Sequence, residues 1–238
     1  MPSPFLLPGH RSPPWRANPA ARQRASFTCS TCAGALPSPR TLAPRNSTAL
    51  ARHGVALHAY ALARSRTLLL LTPRDAEGPA RLVQDLCRRL AASMRRVHAH
   101  TGPLLAGRFR SAIVQADVHL LDAMLFVEQL PAREGEALGE WAWTSAVMHC
   151  GGARDDLITD HPLYWQTGNT PFEREQRHRA KLTEPIDQRS IQRFENALAG
   201  GWPLGDAAFL DALAQQLHRR LAPRAPGRPR KAIASESV

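Results

Sequence analysis

Val55-Ala-Leu-His-Ala-Tyr-Ala-Leu62 and, after Ala63 to Arg66, Thr67-Leu-Leu-Leu-Leu71 decide the fold class. Both are short apolar stretches bounded by polar residues, and they read as two strands, the second more deeply buried. A helix from about Thr41 to His53 leads into the first. From Pro79 to His98 the apolar period becomes helical: Leu82, Val83, Leu86, Leu90, Met94 and Val97 share one face. Thr101-Gly102-Pro103 ends that helix, Arg108 to Ala116 reads as a third strand, and Asp117 is placed to cap a helix running to about Leu130. Short helices and turns follow near Trp141–Met148 and Pro162–Thr167. Two or three more helices lie between Phe172 and Leu221, with Phe209, Leu210, Leu213 and Leu217 as an apolar stripe. Strands alternating with helices imply an α+β domain, a sheet with helices on one face. The alternative, a doubly wound parallel sheet, lacks a Gly-rich phosphate loop after any strand.

At 238 residues and 43% apolar content the chain is long enough to bury a core. Its longest apolar run, Leu68 to Leu71, is far short of the ~20 residues that span a bilayer, so no membrane role is expected. No secretory signal pattern opens the chain, and the expected compartment is the bacterial cytoplasm. Of the 20 prolines nine fall in residues 1–48, which show no sustained period and read as an irregular or degraded leader. Residues 1–74 contain no acid, and a wrong-frame origin for this stretch is one explanation. The expected organisation is leader 1–48, α+β core 49–182, helical extension 183–222 and basic tail 223–238.

The formal charge of +11 is uneven: residues 1–110 carry +14, residues 111–218 carry −8, and residues 219–238 carry +5. Basic ends around an acidic middle suit a polyanion binder, although 29 of the 31 bases are Arg, a skew that a GC-rich genome also produces. Cys29-Ser-Thr-Cys32 has half the spacing of a zinc site and lacks the other two ligands. His98-Ala-His100 sits at a helix end, where residues two apart diverge and do not converge on one metal.

Several stretches, in order, carry a resemblance. They are His53-Gly-Val55, Leu57-His-Ala-Tyr60, Leu69-Leu-Leu-Thr-Pro73, Gly107-Arg-Phe-Arg-Ser111, Trp143-Thr-Ser145 and His161-Pro-Leu-Tyr164. The tail adds Gly200-Gly-Trp-Pro-Leu-Gly-Asp206 and Gly227-Arg-Pro-Arg-Lys231. Over residues 49–231 the chain resembles the single-tyrosine HUH transposases of the insertion-sequence-200 type, in particular the REP-associated tyrosine transposases. The resemblance implies a ferredoxin-like antiparallel sheet flanked by helices, with a C-terminal helical extension. It also implies an activity on DNA: a tyrosine attacks a phosphate of a single strand while two histidines hold Mg²⁺ or Mn²⁺. The family's first strand, due before residue 40, has no recognisable counterpart.

The departures bear on chemistry. Where the family carries its histidine pair, this chain has Arg66 and Leu68, neither of which can ligate a metal. Where it carries the tyrosine, this chain has Phe126, which has no oxygen to attack phosphorus. The polar partner one helical turn on is Leu130. A copy with these replacements is expected to be catalytically inactive and to need no metal cofactor. Tyr60 and Tyr164 match positions that are not nucleophiles in the family.

Binding is the expected residual function, with hairpin or single-stranded DNA as partner and monomer and dimer both open. Arg81, Arg88 and Arg95, with Arg89 and Arg96 beside them, can neutralise phosphates along one helix face. Arg108 and Arg110 flank Phe109 at a strand start. Arg228, Arg230 and Lys231 form an AT-hook-like core suited to a narrow minor groove. The alternatives are an RNA-binding or regulatory module on the same fold and a decaying gene product without function.

Overall fold

The computed structural model describes residues 25–30, 47–63, 65–98, 109–136, 143–217 and 221. The strands are β1 (Ala25–Ser30), β2 (Val55–Leu62), β3 (Thr67–Pro73) and β4 (Arg110–Val114). The helices are α1 (47–52), α2 (Gly78–His98), α3 (Ala116–Glu128), α4 (Leu130–Arg133), α5 (Ala146–His149) and α6 (Pro162–Trp165), then α7 (Pro171–Thr183), α8 (Gln188–Gly200) and α9 (Ala207–Leu217). The fold is α+β.

All strand pairs are antiparallel, in the order β2-β3-β1-β4. β1 lies inside the sheet, with Phe27 opposite Leu70 of β3 on one side and Ala112 of β4 on the other. Within residues 1–48, expected to be irregular, residues 25–30 form a strand. Ala-Ser-Phe-Thr-Cys-Ser has no alternation of large apolar groups, and its backbone partners on both sides supply the order that its own sequence does not announce.

The run of consecutive leucines in β3 follows from burial on both faces. Leu68 and Leu70 join one apolar cluster with Ala59, Ala61, Ala112, Val114, α3 and Phe194 of α8. Leu69 and Leu71 join a second with Ala49 and Leu50 of α1 and Leu82 of α2. Helices therefore cover both faces, not one, because alternate side chains of a strand need cover on each side. The pairing of β2 with β3 shifts register between Leu57 and Ala59, so His58 is the extra residue of a bulge. Val55 and Leu57 consequently face the second cluster while Ala59 and Ala61 face the first.

Later segments close both sheet edges. Leu62 N–H donates to Trp143 O at 2.9 Å, and Ser145 and Thr159 N–H donate to Tyr60 O and Leu57 O along β2. Along β4, Leu204 N–H donates to Ile113 O and Gln115 N–H to Leu204 O, each at 2.7 Å. An edge strand with its backbone groups taken offers no template for further pairing. The core is also continuous across residue 183, since Phe194, Ala197 and Leu198 of α8 pack in the cluster that holds the strands.

One cap differs from expectation. Asp117 lies in the first turn of α3, and the capping position is Gln115, whose side chain makes no cap bond. It is turned away to Asp206, donating to Oδ2 at 2.9 Å and accepting from Asp206 N–H at 2.7 Å. Among the described residues no helix is long and apolar enough to cross a membrane.

Candidate nucleic-acid interface

Three of the four positions singled out from sequence lie in one buried cluster. Leu68 on β3, Phe126 on α3 and Leu130 at the start of α4 are each fully buried and belong to one cluster. Phe126 and Leu130 are one helical turn apart, and the alternation of β3 turns Leu68 towards them. The Phe126 ring packs on Phe194, with centroids 4.8 Å apart and planes tilted by 31°. Arg133 covers the other side, its guanidinium 4.4 Å from the ring centroid and its Nη2 donating to Phe126 O at 2.7 Å. Burial, with Arg66 near by, lowers the Arg133 guanidinium to about 10.

Arg66 stands at the rim, just ahead of β3. Its two terminal nitrogens meet the Glu195 carboxylate at 2.8 Å each, and its Nε is 3.7 Å from Glu134. A fork-to-fork pair of this kind neutralises the guanidinium and ties β3 to α8. The four side chains thus make a sealed apolar cluster with an ion pair at its edge. No lone pair for a metal and no oxygen for attack on phosphorus comes from these four positions.

A second constellation was not singled out from sequence. Glu128, the last residue of α3, is fully buried. Its Oε1 accepts from Ser145 Oγ and from His149 Nδ1, and its Oε2 from His178 Nε2, each at 2.5 Å. The legible signal was a lone acid among Met124, Phe126, Val127 and Leu130. Burial would push the Glu128 carboxyl up, but the imidazoles of His149 and His178 hold it below its ordinary value. Burial likewise opposes charge on His149, yet Glu128, with Asp160 beside it, raises that imidazole to about 9. Among the described residues, Glu128, His149 and His178 are the one group whose ligand-type atoms lie within 4.8 Å of one another. A carboxylate with two imidazoles is a zinc-type donor set. Here both nitrogens already face carboxylate oxygens, so the group acts as a charge-compensated brace joining α3, α5 and α7.

Two neighbouring histidines are neutral for identifiable reasons. His58 Nδ1 donates to Thr159 O at 2.6 Å and its Nε2 accepts from Thr72 Oγ1 at 2.9 Å. Burial, reinforced by His161, lowers it to about 3. His161 Nδ1 accepts from Leu163 N–H at 3.1 Å, and burial lowers it to about 4. The two rings meet edge-on at 5.0 Å.

The basic positions divide into exposed and engaged. On α2, Arg81 is exposed and paired with Glu77 one turn earlier, and Arg88 is exposed with Asp85 at 3.9 Å. Arg89 is more engaged, donating to both oxygens of Asp85 at 3.2 and 3.0 Å. The stripe therefore carries less free charge than its arginines suggest, because Asp85 lies on the same helix and Glu77 just before it. Arg95 is exposed and donates to Ala91 O at 3.3 Å. Arg96 is on α2 but its side chain lies outside what is described. Arg110 is exposed at the start of β4. Arg108, His100, Cys32, Arg228, Arg230, Lys231 and the tail 223–238 lie outside the described residues.

Comparison with family models, with curated proteins and with solved structures finds no match. The functional reading therefore rests on the residues and their placement.

Proposed function

We propose that the chain is a DNA-binding protein built on the single-tyrosine transposase scaffold, without that scaffold's cleavage chemistry and without a metal requirement. The observation that carries this reading is the convergence of Leu68, Phe126 and Leu130 in one sealed cluster. These residues, matched to the family's metal and nucleophile positions, lie in one buried core cluster and are all apolar. The antiparallel order β2-β3-β1-β4, with α1 between β1 and β2 and α2 between β3 and β4, supports a ferredoxin-like core. Binding would draw on the exposed arginines Arg81, Arg88, Arg95 and Arg110, which contact phosphate and fix orientation and carry little base information.

The test is a labelled DNA stem-loop with a single-stranded flank, titrated with full-length protein at low salt with and without Mn²⁺. A shift that weakens steeply as salt rises, unchanged by Mn²⁺ and with no covalent product, is expected. A covalent protein–DNA adduct would overturn the inactivity. Absence of any salt-dependent shift would overturn the binding.

A further inference from the structure

A groove of about 660 Å³ runs between the outer face of α8 and the segment Trp202 to Leu204, with Leu221 at one end. α8 buries Phe194, Ala197 and Leu198 against the sheet, which turns Gln188, Gln192 and Asn196 outward at steps of four. Arg189 and Arg193 run beside them at the same step, and all five are exposed. The opposite wall is built on backbone. Gly201 ends α8 in the left-handed conformation, with φ 65°, and so turns the chain sharply. Trp202 then folds back across Gly200, where a Cβ would sit only 1.9 Å from the indole nitrogen. Leu204 is locked to β4 by its two backbone bonds, so the wall that carries the indole is rigid.

The charge in this groove is available. Arg193 donates to Ser190 Oγ at 2.8 Å and makes no ion pair among the described residues, and the Arg189 guanidinium makes none either. Asp187 lies within electrostatic reach of Arg193, and each carboxylate near the groove has further hydrogen-bond or ion-pair partners. Asp187 caps α8 by accepting from Ser190 N–H, Glu195 is held by Arg66, and Asp206 accepts from Gln115 and from Phe209 N–H. In sequence, the residues after Leu221 include Arg224, Arg228, Arg230 and Lys231 but a single acid. Two exposed arginines beside an indole suit an anionic polymer as the occupant of the groove.

We propose that this groove seats a single-stranded nucleic-acid segment, with a base stacked on Trp202, phosphates met by Arg189 and Arg193, and base edges within reach of the three amides. An aromatic face beside cationic side chains is the usual platform for single strands, and stacking tolerates any base. The inference rests on the nucleic-acid reading above and adds a location and a strand state to it.

The test uses full-length protein with fluorescent oligothymidine and oligouridine, read by anisotropy across a salt series. Arg189→Ala with Arg193→Ala alters only exposed positions, and its slope of log affinity against log salt should fall by about 1.4, the share of two phosphate contacts on a single strand. Trp202→Leu should weaken binding about tenfold with little change in salt slope. Circular dichroism and Tm check that both variants fold. If wild-type protein binds these strands and both folded variants bind equally well, the groove is not the seat, while the wider DNA-binding reading stands. If wild-type protein binds neither these strands nor the stem-loop, both readings fall.

Discussion

Replacing Glu128 by glutamine keeps the shape of the side chain and removes its charge, in a place where neither water nor another anion can substitute. In the folded protein the carboxylate takes donors from Ser145, His149 and His178. An amide nitrogen put at either oxygen position would face a donor, and the imidazolium of His149 would lose its nearest counter-charge. The next carboxylate, Asp160, is 3.8 Å from His149 Nε2. His149 is held at about 9 against an ordinary 6.5, and at ~1.4 kcal/mol per unit that gap is worth about 3 kcal/mol. Stripping one partner from a buried pair costs a comparable ~3–5 kcal/mol. Urea unfolding followed by circular dichroism near neutral pH should therefore show the Glu128→Gln midpoint lowered by about 1–3 M.

The pH dependence gives a second, sharper reading. A raised folded value for His149 means its contribution is complete below pH 6.5 and is lost as pH climbs through about 9. The depressed Glu128 contributes above its ordinary value of 4.5 and loses that contribution as pH falls. Wild-type stability should therefore decline between pH 6.5 and 9, and Glu128→Gln, with only Asp160 left beside His149, should show a smaller decline. An unchanged midpoint, or an alkaline decline of equal size in the variant, would refute the assignment of charge to this cluster.

His58 and His161 work in the opposite sense: both folded values lie below 6.5, so their contribution is complete above that pH and falls as the solution is acidified towards 4 and 3. His161→Gln should reduce the acid slope by up to ~1.4 kcal/mol per pH unit, measured by unfolding between pH 6.5 and 4.5, and an unchanged slope would show that His161 is not held neutral. Phe126→Tyr supplies a hydroxyl at this position but buries it in an apolar cluster, so stability should drop by about 1–3 kcal/mol with no covalent DNA product in a stem-loop assay. Gly200→Ala forces the indole of Trp202 aside, which should cost about 1–3 kcal/mol and shift tryptophan fluorescence, and an unperturbed spectrum would argue against the ring lying across that glycine.

The elements legible in the sequence are those whose pattern depends on their own side chains. Val55–Leu62 appears at the expected bounds, Thr67–Leu71 extends two residues to Pro73, and the long helix begins at Gly78. β1 was not legible because a strand paired on both sides draws its order from neighbours, and Ala25–Ser30 shows no alternation of its own. The stripe on α2 was legible as arginines, but how much of its charge is free depends on Asp85, which takes both Arg89 contacts. Glu128 was legible as an acid in an apolar run, without any hint that its partners sit 17, 21 and 50 residues away.

By itself the sequence determined the α+β alternation, the basic ends and the apolar character of Leu68, Phe126 and Leu130, since these depend on residue identity and local period. Only the tertiary structure decided that Leu68, Phe126 and Leu130 close into one cluster, that Glu128 is balanced by two histidines, and that Trp202 and two arginines of α8 share a groove. The reason is that burial, ion pairing and concavity belong to residues distant in the chain, and their partners are set by packing.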